Sequence, residues 1–338
     1  SYCLKTLSDD GYIVHAVSIN TGGFSKNQIK EQEKNAYAMG ANTYRSINAL
    51  KTFYEKIVKY LIFGNVLKNN TYPLSVSAER IVQAIEIIKY AKSIKSKFIA
   101  HGSTGAGNDQ VRFDLIFQVL APEIKIITPI RDKQLSREAE INYLKSQGIN
   151  LPWEKAQYSI NQGLWGTSVG GNETLNSFEA LPDNAYPSPL INTTPKKITL
   201  GFKLGELIAL NGQSGNPVNL IQQLQDISKD YAIGRDIHVG DTIIGIKGRV
   251  GFEAAAPMII IKAHHLLEKH TQSKWQQFQK EQMANFYGMQ LHEGNYLDAV
   301  MRDIEAFLNS SQKTVNGEVF VTLHPHRFEL QGIKSPND

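Results

Sequence analysis

What most restricts the fold of this 338-residue chain is an alternation of short apolar runs with helix-patterned segments, punctuated by glycine. Residues 12–19, Tyr-Ile-Val-His-Ala-Val-Ser-Ile, form a β-branched run after Gly11 and read as a buried strand. Asn20-Thr21-Gly22-Gly23 breaks that run, and residues 26–38 are polar and helix-permissive up to Gly40. Apolar residues at helical spacing follow over 53–68. A further helix is expected over about 78–95, with Ile81, Ala84, Ile85, Ile88 and Ala91 on one face. A short strand at 97–102, a helix at 110–119, a strand at 124–130 and a helix at 136–147 continue the pattern. Such alternation predicts an α/β fold, a doubly wound parallel sheet with helices on both faces. Ligands of such folds bind beyond the carboxyl ends of the strands. The loops 20–25 and 102–109 both lie at such ends.

The texture changes over 151–195, which is rich in Gly, Pro, Asn, Ser and Trp with little periodicity. A domain boundary is expected there, giving one domain over 1–150 and a second, α+β domain over 151–338. The second is expected to hold a strand at 197–202, an amphipathic helix at 216–228, a strand-like stretch at 241–247 and long helices over 255–308. Asn316-Gly317 is a hairpin signal between two short apolar runs.

Composition narrows the partners. A net charge of +4, with no run of five basic residues, gives no sign of a nucleic-acid partner. The single cysteine, Cys3, excludes an internal disulfide and fits a reducing cytoplasm, with Cys3 itself in the core. The longest apolar stretches, such as 254–261, fall far short of the roughly 18 residues that cross a bilayer, so no membrane is involved. Both ends are abrupt, and further residues are expected beyond each.

Three segments carry chemistry. In His101-Gly102-Ser103-Thr104-Gly105-Ala106-Gly107-Asn108-Asp109-Gln110-Val111-Arg112-Phe113, three glycines allow backbone N–H groups to face a ligand. The helix beginning near Asn108 or Asp109 favours an anion at its N-terminus. Arg112 could offer a planar fork to a carboxylate, Thr104 and Asn108 add donors, and Asp109 could accept from an ammonium. The plain alternative is a strand–turn–helix corner with Asp109 as N-cap. The second segment, Thr71-Tyr72-Pro73-Leu74-Ser75-Val76-Ser77-Ala78-Glu79-Arg80, sets Tyr72 and Ser77 before a helix. The third, 158–171, is loop-like yet holds large aromatics and two serines, Ser159 and Ser168, nine residues apart.

Taken together, Tyr-x-Leu-x-x-Ser-x-x-Arg, His-Gly-x-Thr-Gly-x-Gly-Asn-Asp-Gln-Val-Arg-Phe and Tyr-Ser-x-x-x-x-Leu resemble, in order and spacing, the signature blocks of argininosuccinate synthases. Leu120-Ala121-Pro122 and 127–131 resemble the strand that follows the second block. The resemblance covers nearly the whole chain. It implies a nucleotide-binding domain followed by a synthetase, substrate and oligomerisation domain. It also implies ATP with Mg2+ carried on the nucleotide, citrulline and aspartate as substrates, and a cytoplasmic homo-oligomer, a tetramer. The expected chemistry is attack of the ureido oxygen on the α-phosphorus, loss of pyrophosphate, and displacement of AMP by the aspartate amine.

The same resemblance implies that Tyr72, Ser77, Asn108, Arg112, Ser159 and Ser168 contact citrulline. Thr104, Asn108 and Asp109 are implied for aspartate, and Ser1, Ile19 and Gly102 for ATP. Three departures stand out. Ser1 matches the last residue of the family's Ser-Gly-Gly-x-Asp-Thr/Ser-Ser pyrophosphate loop, whose remainder is absent. A glutamate and a tyrosine that the family places on citrulline match Gly240 and Phe252 here. The family's C-terminal helix would lie beyond Asp338. Loss of the glutamate suggests, as an alternative substrate, a citrulline whose α-amino group is acylated. A sulfur-transferring relative would want more cysteines and a basic face. A non-catalytic nucleotide-binding relative is the rival from another class. His264 and His265, with Glu268 near them, lack a further protein ligand for zinc and read as packed or surface histidines. His324-Pro325-His326 reads as a turn.

Overall fold

The computed structural model describes residues 1–105, 107–149 and 158–338, and divides the chain into two compact units. The first comprises Ser1–Ala49, Arg80–Gln157 and Thr242–Gly245. The second comprises Leu50–Glu79, Tyr158–Asp241 and Ile246–Asp338.

In the first unit, β1 (His15–Asn20) pairs in parallel with β2 (Thr43–Asn48), and β3 (Phe98–Ala100) pairs in parallel with β4 (Lys125–Ile127). Parallel neighbours need a crossover, and helices supply both. Lys26–Ala38 links β1 to β2, and Asn108–Leu120 links β3 to β4. The first crossover starts at a reciprocal cap between Ser25 and Gln28. The helix Ser75–Ser93, inside which the unit boundary falls, leads towards β3. Its Ile81, Ala84, Ile88 and Ala91 are buried, as the 3.6-residue period predicts, and Ile85 is half-buried. The strand expected at 12–19 begins at His15, and Ile13 is 75% exposed. The polar sequence of β2 carries no strand signal of its own. Its register against β1, Thr43 to Asn48 opposite His15 to Asn20, supplies one.

The second unit is built on antiparallel sheets. Its strands are β5 (Ser159–Gly163), β6 (Gly166–Gly170), β7 (Lys196–Lys203), β8 (Glu206–Leu210) and β9 (Gln213–Ser214). β10 (Arg235–Asp241), β11 (Lys247–Glu253), β12 (Gly317–His324) and β13 (Arg327–Lys334) complete the set. One sheet has the order β10-β11-β6-β5, the other β13-β12-β7-β8-β9. Helices Pro217–Ser228, Ala255–Thr271, Lys274–Glu293 and Ala299–Ser311 provide the rest of the framework. Leu200, Leu207, Leu220, Leu224, Ile260 and Leu267 are each at most 1% exposed and belong to its apolar core.

Three local expectations are corrected here. Part of 151–195 is not irregular: Ser159–Gly163 and Gly166–Gly170 form a hairpin around the fully buried Trp165. Glycine and serine obscured the strands, but pairing with β11 fixes them. The stretch 241–247 is mostly the turn between β10 and β11. Asn316-Gly317 does not turn a hairpin. Gly317 begins β12, which pairs with β7, and the Asn316 amide donates to the Lys313 carbonyl. The hairpin turn lies at 325–326, where His326 has φ +63°, as expected for that segment. No helix among the described residues is long and apolar enough to cross a membrane.

Candidate active site

In the first unit the glycine loop follows β3 and ends at Gly107, the N-cap of the helix Asn108–Leu120. The helix therefore starts where the sequence predicts. Arg112 comes one turn in, and its guanidinium is 4% exposed. Nη1 of Arg112 donates to Oδ1 of Asp109 at 3.1 Å, and Nε of Arg80 donates to Oδ2 at 2.9 Å. Burial alone would raise the Asp109 carboxyl, but the two guanidinium charges and their hydrogen bonds hold it below its ordinary range. A carboxylate has about four lone-pair sites, so two accepted bonds leave capacity for a ligand donor. Asn108 is tied by its Oδ1, which accepts from the Ile243 N–H at 2.8 Å. Thr104 stands beside Gly107, its hydroxyl 3.9 Å from where a Cβ there would lie.

The base of the loop is braced by a network that no sequence motif announced. The Ser103 N–H donates to Nδ1 of His101, which makes Nε2 the protonated nitrogen facing Asp114 at 2.8 Å. Arg131 holds the other Asp114 oxygen at 2.6 Å. Ser1 and Gly102 line one cavity of about 560 Å3, together with residues of β1 and β3. Cys3 is half-buried rather than in the core, with Sγ 3.3 Å from the position of a Cβ on Gly102. Ile19 is buried near the end of β1 and does not line that cavity.

In the second unit the register of the four-stranded sheet decides which side chains share a face. Asn161 is opposite Ser168, Ser168 opposite Phe252, and Phe252 opposite Asp236. Directly opposed residues and alternate residues along a strand point the same way. Ser159, Ser168, Phe252, His238 and Gly240 thus lie on one face. The sequence-predicted Ser159, Ser168, Gly240 and Phe252 share that face, with Ser159 exposed, Ser168 and Phe252 buried, and Ser159 and Gly240 on opposite outer strands.

Residues 72–79 lie against that face. The Tyr72 ring stacks on His238 at 5.0 Å and tilts against Phe252 at 5.3 Å. Its hydroxyl accepts from the Ser75 hydroxyl and the Val76 N–H, both at 3.1 Å. Glu79 is 2% exposed, and a Cβ on Gly163 would come within 2.3 Å of its Oε2, so any larger residue there would push the carboxylate aside. Ser77 is 3% exposed, and its hydroxyl has no hydrogen-bond partner among the described residues. A buried hydroxyl left unsatisfied costs free energy, which marks a place where a ligand could complete the bonding.

His238 and Glu79 were not singled out in the sequence. His238 is two residues before Gly240 on the same strand face. A period of two would have found it had 235–241 been read as a strand. Glu79 looked like an ordinary helix residue, and only the glycine opposite gives it meaning.

The parallel β-α-β scaffold with a glycine loop at a strand end is of the α/β class that binds ligands beyond the carboxyl ends of its strands. The match to known families is specific. Residues 1–150 fit the arginosuccinate synthase N-terminal HUP domain, and residues 158–338 fit the arginosuccinate synthase C-terminal domain. The chain is 34% identical over 340 residues to the argininosuccinate synthase of Methanocaldococcus jannaschii, covering 99% of this chain and 86% of the relative. It is 33% identical to that of Xanthomonas campestris pv. campestris, covering 100% and 86%. It is 34% identical to that of Pyrococcus furiosus, covering 100% and 82%. The chain belongs to the argininosuccinate synthase family, a family of ATP-dependent ligases.

Proposed function

We propose that this ligase joins citrulline to aspartate in arginine biosynthesis, with ATP converted to AMP and pyrophosphate. A ureido carbon is a poor electrophile while its oxygen remains a poor leaving group. Attack of that oxygen on the α-phosphorus expels pyrophosphate and leaves a citrullyl-adenylate. The aspartate amine then attacks the activated carbon, AMP departs with the former ureido oxygen, and a proton is released from the amine. The protein's share of such chemistry is positioning and charge stabilisation.

Tyr72, Ser77, Asn108, Arg112, Ser159 and Ser168 are assigned to citrulline in this reading, and Thr104, Asn108 and Asp109 to aspartate. Ser1, Ile19 and Gly102 are assigned to ATP. The observation that carries the reading is the Arg80–Asp109–Arg112 cluster at a helix N-terminus directly after the glycine loop. It offers both signs of charge, which an amino-acid zwitterion requires. The unsatisfied hydroxyl of Ser77 supports it. Magnesium would come with the triphosphate. Among the described residues no group of three or more His, Cys, Asp or Glu side chains is arranged to hold a metal, and no protein ligand is assigned to it. A cytoplasmic homotetramer belongs to the same proposal. Gly240 and Phe252 favour a second reading of the same reaction, on an α-N-acylated citrulline.

The test is pyrophosphate release by the purified full-length protein. Release over many turnovers is expected only when ATP, aspartate and citrulline, or its N-acetyl form, are all present. With 18O in the ureido group, the label should appear in AMP. Release without aspartate that leaves no labelled AMP, or no release under any combination, overturns the proposal.

A further inference from the structure

We propose that His238 is a specificity-determining residue, selecting a citrulline with an acylated, uncharged α-nitrogen over one bearing a free α-ammonium. The inference rests on the citrulline reading above and concerns the corner of the sheet around Gly240.

Geometry ties the two positions together. A Cβ on residue 240 would come within 2.8 Å of Nε2 of His238, closer than atoms of this kind approach. A glutamate at 240 and the His238 ring as placed are therefore incompatible, and the glycine is the complement of the histidine. The ring is held firmly, stacked on Tyr72 at an interplanar angle of 24°. The residue is 5% exposed, and its Nδ1 has no hydrogen-bond partner among the described residues. A buried ring nitrogen in that state is an unfilled hydrogen-bonding position.

The charge of the corner decides what fills it. Burial, aided by the charge of Lys68, pushes the His238 imidazole down to about 4, so it is neutral at pH 7. A neutral imidazole has one N–H and one lone pair, which suit an amide group. It cannot offset a buried ammonium, and Lys68 adds charge of the wrong sign for one. Glu79 does not repair this. It lies over Gly163 on β5, while Gly240 is on β10, the opposite outer strand, roughly 14 Å away across the sheet and further still along the strands. Phe252, buried against Tyr72, keeps the corner apolar and supplies no charge either.

The experiment is calorimetric titration of the full-length protein with L-citrulline and with N-acetyl-L-citrulline, which needs no turnover. The wild type should bind the acetylated form at least about ten-fold more tightly. His238→Ala should lose about ten-fold on the acetylated form and clearly less on citrulline, and His238→Asn should recover part of that loss. The double variant His238→Ala with Gly240→Glu should reverse the preference. Wild-type preference for free citrulline overturns the inference, whatever the variants do. So does an equal loss on both ligands in His238→Ala, the mark of a merely structural role. Tight citrulline binding with pyrophosphate release would sink this inference and leave the citrulline reading intact. Binding of neither ligand, with no pyrophosphate release, would bring down both.

Discussion

Asp109 shows how one carboxylate can organise a site before any substrate arrives. Its two oxygens set the planes of Arg80 and Arg112 by charge-assisted hydrogen bonds. Asparagine there would keep the shape and lose the charge. Each such bond is worth roughly 1.5–3 kcal/mol, so Asp109→Asn should raise the KM for citrulline or aspartate by about ten-fold or more. Steady-state pyrophosphate release reads this directly, and an unchanged KM for both would contradict the assigned role. Stability should respond as well, and the sign is fixed. The folded-state pKa lies below the unfolded value of about 3.9, so the stabilisation is fully present above that value. It is lost as pH falls through the folded pKa. Urea unfolding at stepwise lower pH should therefore show a shallower acid loss in Asp109→Asn than in wild type. His238 tilts the same limb for a different reason. Its folded pKa of about 4 lies below the unfolded value of about 6.5. Between those values the unfolded chain binds the extra proton, and stability falls as pH falls. His238→Ala should flatten the profile between about pH 6.5 and 4.

At the scale of elements, the helices Ala255–Thr271 and Lys274–Glu293 share a buried polar knot. Glu268 is fully buried and accepts from Lys280, the Asn65 amide, and the amides of Gln272 and Gln312. Burial alone would raise its carboxyl, but His264, Lys280 and these donors bring it below the ordinary value. Lys280 also donates to the Phe63 carbonyl. His264, read from the sequence as a packed or surface residue, is the former: it is fully buried between Asn65 and Gln312. Removing one member of a buried pair leaves the other charge uncompensated, at about 3–5 kcal/mol. Glu268→Ala should lose that much in urea unfolding. Glu268→Met with Lys280→Met should regain most of it, since apolar replacement removes both charges. A double variant as weak as the single one would show that the charges are not the source. None of this was legible in advance. Residues 255–308 show helical periodicity, but periodicity does not say which polar residue on a buried face is paired.

At the scale of the molecule, legibility followed the physical origin of each feature. Local rules located the crossover helices, the glycine loop and the start of the helix at Asn108, because capping and side-chain period are encoded nearby. Strands β2, β5 and β6 were missed because their sequences are polar or glycine-rich, with β6 fixed by pairing to the distant β11, while the period of two in β10 was passed over. The candidate site could be named from the sequence as residues but not as geometry. The motifs named Ser159 and Ser168, but only sheet register shows that they share a face with His238 and Gly240.

Quaternary structure is the remaining question at this scale, and one helix bears on it. Trp275, Phe278, Phe286 and Met289 on Lys274–Glu293 are 69%, 55%, 38% and 42% exposed. Their spacing of three, eight and three residues keeps them along one stripe. An exposed apolar stripe of this kind marks an association surface. If the homotetramer proposed above uses it, Trp275→Glu with Phe278→Glu should lower the mass seen by light scattering after size exclusion. Exposed substitutions of this sort typically change subunit stability by no more than about 0.5 kcal/mol. The far-ultraviolet circular dichroism should therefore match wild type, separating loss of assembly from loss of fold. An unchanged assembly mass in the double variant would exclude this stripe as the contact.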